Sequence, residues 1–179
     1  NEKKIKTFTV LRNFTEENSS TINKIIKKNK ILLFQRTNFL REIFIIYKLF
    51  CEYYFIKNNF NKPDIKYLKS NFLSFFSLRS MVNNLRLYYQ VKDLIEIIKP
   101  KLLIIPFEGH AWERLIIKMI KDLNKGIKIA SYQFTITTQH QHSLFRPLKA
   151  EYNPDIILTS GKITKKKFEK SYKCPVKIL

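Results

Sequence analysis

Apolar positions change rhythm partway along the chain, and the change separates two kinds of segment. From Asn38 to about Asn58 the pattern is helical. Leu40, Ile43, Phe44, Tyr47, Phe50, Tyr54 and Phe55 recur at steps of three and four, with Arg36, Arg41 and Lys48 as a polar fringe. Such a stripe reads first as the core face of a helix; its functional reading is a basic, aromatic helix lying on a membrane surface. A longer helix runs from Ser77, an N-cap, through Ile98, with Met81, Val82, Leu85, Tyr88, Tyr89, Val91, Leu94, Ile95 and Ile98 on a broad stripe. Three shorter elements accompany these, two before the first and one between them. Thr7 to Leu11 suits a strand. Ser20 or Thr21 caps a helix carrying Ile22, Ile25 and Ile26. Pro63 and Asp64 open a helix that ends near Phe76.

Beyond Pro100 the periodicity shortens. Leu102 to Ile105 is a continuous apolar run, as expected of a parallel strand buried on both faces. A helix over Ala111 to Leu123 follows, with Leu115, Ile116, Met119, Ile120 and Leu123 inward, and Gly126 placed for a left-handed cap. Next come a strand over Lys128 to Phe134, a polar stretch over Thr135 to Ser143, and a strand over Ile156 to Thr159 led by Pro154-Asp155. Ser160-Gly161-Lys162 turns into a helix over Ile163 to Tyr172, and Pro175 to Leu179 begins another strand. This rhythm predicts an α/β fold: a Rossmann-like, doubly wound parallel sheet in the C-terminal half, preceded by a mainly helical N-terminal region. The expected division is 1–76, helical and packed on the same domain, and 77–179, the α/β unit.

In such sheets ligands bind at the carboxyl ends of the strands. The turn Phe107-Glu108-Gly109-His110 lies there, and it brings the first glycine and the first histidine beside the only tryptophan, Trp112. Glu108 and His110 are candidate catalytic groups, as a general base or as ligands of a sugar hydroxyl. Glu113 has a local reading, as an acid in the first turn of a helix that stabilises its dipole, and Trp112 reads as core. Gly109, Arg114, Gln139, His140, His142, Ser160, Gly161 and Lys162 complete the candidate binding set at the same edge. Gly109 and Gly161 each separate a strand from a helix, so two helix N-termini would offer free N–H groups to phosphate. His140 and His142, with His110 or Glu108, have zinc-ligand chemistry, but a His-x-His pair without a third ligand at diagnostic spacing does not predict a metal. Neither a Walker loop nor Gly-x-Gly-x-x-Gly occurs, which argues against a classical dinucleotide site.

Charge widens the question. The formal net charge is +20 and the pI about 10.0, a surface suited to nucleic acid, anionic lipid or phosphorylated substrates. AT-rich coding also produces abundant Lys, Ile, Asn, Phe and Tyr with no function attached. No common nucleic-acid motif occurs, so nucleic acid is the lesser expectation. Cys51 and Cys174 form neither a metal spacing nor a disulfide framework, which fits a reduced, cytoplasmic setting; the basic, aromatic N-terminal helices would hold the protein peripherally on an inner membrane. The apolar run Ile31 to Ile56 is broken by Gln35, Arg36, Arg41, Glu42, Lys48 and Glu52, so no membrane span is expected. The absence of an initiator Met and the ending on Cys174 to Leu179 suggest a fragment whose partner half lies downstream.

Three pieces resemble bacterial surface-carbohydrate biosynthesis proteins of the GT-B glycosyltransferase type. They are Ile98-Lys-Pro-Lys-Leu-Leu-Ile-Ile-Pro-Phe-Glu-Gly-His-Ala-Trp-Glu-Arg114, Ser131 to His142, and Asn153-Pro-Asp-Ile-Ile-Leu-Thr-Ser-Gly-Lys162. The resemblance covers roughly residues 77–179. It implies two Rossmann-like domains with a cleft between them, this chain being most of the acceptor-side half. It implies no cofactor within this chain, a nucleotide-activated sugar as donor for the complete enzyme, and a sugar or lipid-linked acceptor at an anionic membrane. The usual donor-binding residues have no counterpart here, so the chain alone would not be active. The competing expectation is a non-enzymatic basic module that binds anionic membrane or nucleic acid.

Overall fold

The structure, a computed structural model, describes residues 6–12, 30–33, 37–59, 75–123, 126–135, 142–146 and 148–179. The expected helices over Ile22–Ile26 and from Pro63 lie outside these residues, as do Gln139 and His140. The chain divides into two compact units, Asn1–Gln90 and Val91–Leu179. The boundary falls inside the second long helix, downstream of the expected division after residue 76.

In the first unit, β1 (Thr9–Arg12) pairs in parallel with β2 (Lys30–Leu33), Thr9 opposite Lys30 and Arg12 opposite Leu33. β2 was not expected from the sequence. α1 (Phe39–Asn59) and α2 (Phe75–Ile98) are the two long helices. Ser77 lies within α2 and does not cap it, because the helix starts at Phe75.

α1 and α2 meet through charge and aromatic contact. The Arg86 guanidinium donates through both Nε and Nη2 to the Glu42 carboxylate, and the N–H and hydroxyl of Thr37 donate to the same group. Arg41 and Lys48 lie over the Tyr89 ring, whose edge meets Phe44. Burial by itself would raise the Glu42 pKa. The hydrogen bonds from Arg86 and Thr37 outweigh it and hold the carboxyl at about 2.

The expected core stripe of α1 faces the other way. Ile45 is fully buried, while Phe39, Leu40, Ile43, Phe44, Tyr47 and Phe50 are exposed. The inward side of the helix is the one that carries Arg41, Glu42 and Lys48.

The second unit is the α/β part and agrees with the sequence in every strand. β3 (Leu102–Pro106), β4 (Lys128–Gln133), β5 (Ile156–Thr159) and β6 (Val176–Ile178) form a four-stranded sheet in the order β3-β4-β5-β6. All three pairings are parallel. Consecutive strands are neighbours throughout, so the described strands contain no reversal of order and no topological switch point of the doubly wound kind. α3 (Ala111–Leu123) and α5 (Lys162–Ser171) link β3 to β4 and β5 to β6. Between β4 and β5 come a short helix α4 (His142–Phe145) and a 3-10 turn over Ala150–Tyr152.

The register sorts side chains by face. Ile105, Ile129, Ser131, Gln133, Ile157, Thr159 and Val176 alternate onto one face and are buried. Ile116, Ile117 and Ile120 of α3 are buried, as is Phe168 of α5, whose ring lies tilted against Phe107 at 6.0 Å. Burying each such ring contributes about 2–3 kcal/mol. On the opposite face Leu102 and Ile104 are exposed. Asn153 and Asp155 fasten the base of β5. Asn153 donates to the Leu148 carbonyl, and Asp155 accepts from the Ile129 N–H at 2.8 Å.

The Glu42 carboxyl is depressed in the folded state, so its contribution is complete above the ordinary carboxyl pKa and is lost as pH falls through about 2. Glu42→Gln is expected to lower stability at pH 7 by roughly 1–2 kcal/mol after screening by water, and to cost progressively less below pH 4. Urea unfolding followed by far-UV circular dichroism at several pH values checks this, and a cost independent of pH would refute it.

Candidate functional site

The carboxyl end of β3 leads into Phe107, Glu108, Gly109 and His110 before α3 begins. Gly109 has φ +83°, the left-handed region where only glycine is free of Cβ strain. It also has no room for a side chain. A Cβ there would lie 2.7 Å from the Leu144 nitrogen and 2.8 Å from the Ser143 carbonyl carbon. The loop after β4 therefore crosses directly against the turn after β3, and His142 starts α4 one residue before that contact.

Glu113 organises the turn. Its side chain reaches back from the third position of α3 and accepts the N–H groups of Glu108, Gly109 and His110 at 2.9–3.1 Å. It is fully buried. Burial pushes its pKa up, against the backbone donors of Glu108, His110 and Gly109. The local capping role expected of Glu113 is thus what the geometry shows. Of the helix-start donors expected for phosphate, the His110 N–H is taken by the protein's own carboxylate, together with the two N–H groups before it.

Above the plugged terminus, His110 Nε2 lies 3.1 Å from Glu108 Oε2. The imidazole is 56% exposed and the carboxylate 31%. With the Nε2 proton held by Glu108, Nδ1 carries the lone pair and is the nitrogen able to take a proton from a solvent-side group.

Arg114 does not face this opening. It was expected to bind substrate; instead it is 5% exposed, stacked 4.6 Å from the Phe107 centroid. Its guanidinium donates to the Tyr152 carbonyl, Asn153 Oδ1 and the Tyr172 hydroxyl. Tyr172 in turn donates to the Leu144 carbonyl at 2.6 Å. Burial raises the Tyr172 pKa, against the pull of Arg114. Tyr172 was not singled out in the sequence. This chain of bonds holds α4 on the turn that carries His110. Trp112 is half-buried.

Ser160, Gly161 and Lys162 follow β5, two strands from β3, at the same sheet edge. Ser160 and Lys162 are exposed. Among the described residues no hydrogen bond joins these three to Glu108 or His110. Gly161 caps α5 in extended backbone, and a Cβ there would meet nothing within 4 Å. The edge therefore brings Glu108, Gly109 and His110 together with the backbone of α4, and no hydrogen bond among the described residues ties the β5 loop to them. Beneath it, the Ser131 hydroxyl and Gln133 Oε1 are buried without a hydrogen-bond partner among the described residues; such atoms cost on the order of 1–3 kcal/mol each unless water reaches them. No cluster of three or more His, Cys, Asp or Glu suited to a metal occurs among the described residues.

No protein-family profile, curated protein or solved structure matches the chain.

The two glycines separate by substitution. Gly109→Ala meets both backbone strain and backbone atoms and is expected to cost roughly 2 kcal/mol or more, whereas Gly161→Ala should lie within about 1 kcal/mol of the parent. Thermal unfolding of both variants checks the contrast. Glu113→Ala strands three part-buried N–H donors and empties a buried side-chain site, and is expected to cost roughly 2–4 kcal/mol. Amide exchange at Glu108, Gly109 and His110 should accelerate in that variant, and unchanged protection there would remove the plug from the account.

Proposed function

We propose that this chain is the acceptor-side domain of a glycosyltransferase that builds bacterial surface polysaccharide from a nucleotide-activated sugar. The observation that carries this reading is the Glu108–His110 pair, exposed on a rigid turn at the carboxyl edge of a parallel sheet. The resemblance of Ile98 to Arg114, of Ser131 to His142 and of Asn153 to Lys162 to GT-B proteins of surface-carbohydrate biosynthesis supports it.

In this reading Glu108 is a positioning residue. Its carboxylate fixes the imidazole and stabilises the imidazolium that forms. His110 Nδ1 takes the proton of an acceptor hydroxyl. The acceptor oxygen bonds to the anomeric carbon of the donor sugar, the bond from that carbon to phosphate breaks, and the nucleotide leaves with the electron pair. Gly109 admits α4 against the turn, which gives the acceptor a wall on the β4 side. The donor would be held by residues outside this chain.

The non-enzymatic alternative rests on the net charge of +20 and differs in its outcome. The complete protein, assayed with UDP-, GDP- and CMP-linked sugars and a lipid-linked acceptor, should release nucleotide only when acceptor is present. His110→Ala is expected to lower that rate by roughly 10²- to 10⁴-fold, and Glu108→Gln by a smaller factor, with KM for acceptor little changed. Parental rates in both variants would exclude the pair from the chemistry. Release of no nucleotide from any donor would favour the binding module.

A further inference from the structure

α1 is turned inside out for a helix of a water-soluble domain. Phe39, Leu40, Ile43, Ile46, Tyr47 and Phe50 are between 50% and 77% exposed. On a helix of 3.6 residues per turn they fall on one broad arc, since Phe39, Ile43, Ile46 and Phe50 recur at steps of four, three and four. The opposite side holds Ile45, fully buried, and the charged groups. Glu42 is bonded to Arg86, and Arg41 and Lys48 lie over the Tyr89 ring. The polar residues are thus spent on the neighbouring helix while the large apolar ones point outward.

This arrangement has a definite cost in water. Six large side chains in one patch exceed the scattered apolar exposure that soluble surfaces normally carry. The same residues would lie in favourable surroundings if the arc faced hydrocarbon. The helix is not a span, because no described helix is long and apolar enough to cross a membrane.

Charge selects the occupant. Residues 1–90, the first compact unit, contain 17 Lys and Arg against 6 Asp and Glu, a net of +11. A second copy would bring the same positive charge to close range. Nucleic acid would require cations on the contact surface, and from Phe39 to Phe50 the exposed arc carries none. A bilayer of anionic phospholipid satisfies both features: its acyl boundary accepts the apolar arc, and its headgroups attract the net positive charge of the unit. Tyr47, with a ring in the boundary and a hydroxyl in the headgroups, suits that depth.

We propose that the outer face of α1, centred on Ile43, Ile46 and Phe50, is a monotopic docking surface for anionic phospholipid bilayers. The helix lies in the plane of the interface, buried by about half its diameter, roughly 5–10 Å into the headgroup region. This inference is independent of sugar transfer: loss of transfer in His110→Ala leaves it intact, and loss of lipid binding leaves the Glu108–His110 chemistry intact.

The test is flotation of the whole chain with vesicles of phosphatidylglycerol and phosphatidylcholine, compared with phosphatidylcholine alone. The parent is expected to float with the anionic vesicles and to be released as salt rises. Ile43→Ser combined with Phe50→Ser should weaken binding by roughly tenfold or more with the unfolding temperature preserved, since neither side chain is buried. As a second measurement, Phe50→Trp should give fluorescence that brominated phosphatidylglycerol quenches beyond the background of Trp112. Equal flotation of the parent and the double serine variant would overturn the proposal. So would a parent dimer in sedimentation, without lipid, that the double variant abolishes. Retention by oligonucleotide in place of vesicles would overturn it in favour of nucleic acid.

Discussion

The β3 turn depends on one carboxylate. Glu113 is the third residue of α3, and it folds back to receive the N–H groups of the three residues that precede the helix. A helix start has donors that nothing in the helix can satisfy. Here an internal anion takes the one at His110 and the two N–H groups of the turn before it, at the expense of burying a carboxylate. The result is a turn whose shape does not wait for a ligand, with His110 and Glu108 held above it in mutual contact.

Rigidity on the other side of the turn comes from Arg114, the next residue along. Because Glu113 points back along the helix axis, its neighbour is carried round to the inner face. There the guanidinium finds aromatic rings and three oxygen acceptors from remote segments. Adjacent opposite charges thus have different duties: one closes the helix start, and the other ties α3 to the loop before β5 and to the end of α5. The open start of α5 offers the contrast. Gly161 supplies no side-chain cap, and no acid stands in the first turn.

The α/β half was readable because each strand is a short apolar run bounded by Pro or Gly, and the turn that carries His110 was readable because rare residues gather in it. Three features escaped. β2 is only four residues long, and its apolar positions merge with the run that continues into α1. α4 is held by tertiary contacts at Gly109 and Tyr172 and has no periodicity of its own. Arg114 was assigned to substrate because a charged residue at a helix start reads as solvent-facing, and its partners lie up to 58 positions away. The stripe of α1 was seen correctly as a stripe and given the wrong side. Periodicity shows that apolar residues share a face, but it carries no information on what that face meets.

The bond between Tyr172 and Leu144 sets an order of events. Arg114 and the turn belong to the first helix of the second unit, whereas the hydroxyl that completes their clamp lies after the last one. While the chain is being synthesised, the β3 turn can be shaped by Glu113 as soon as α3 exists. The wall formed by α4 can close only when α5 has been made and packed. Contacts of such separation close late, because the intervening loop entropy must be overcome first. A nascent chain interrupted before residue 172 would therefore hold its Glu108–His110 pair in an open frame, with the Leu144 carbonyl without its Tyr172 donor.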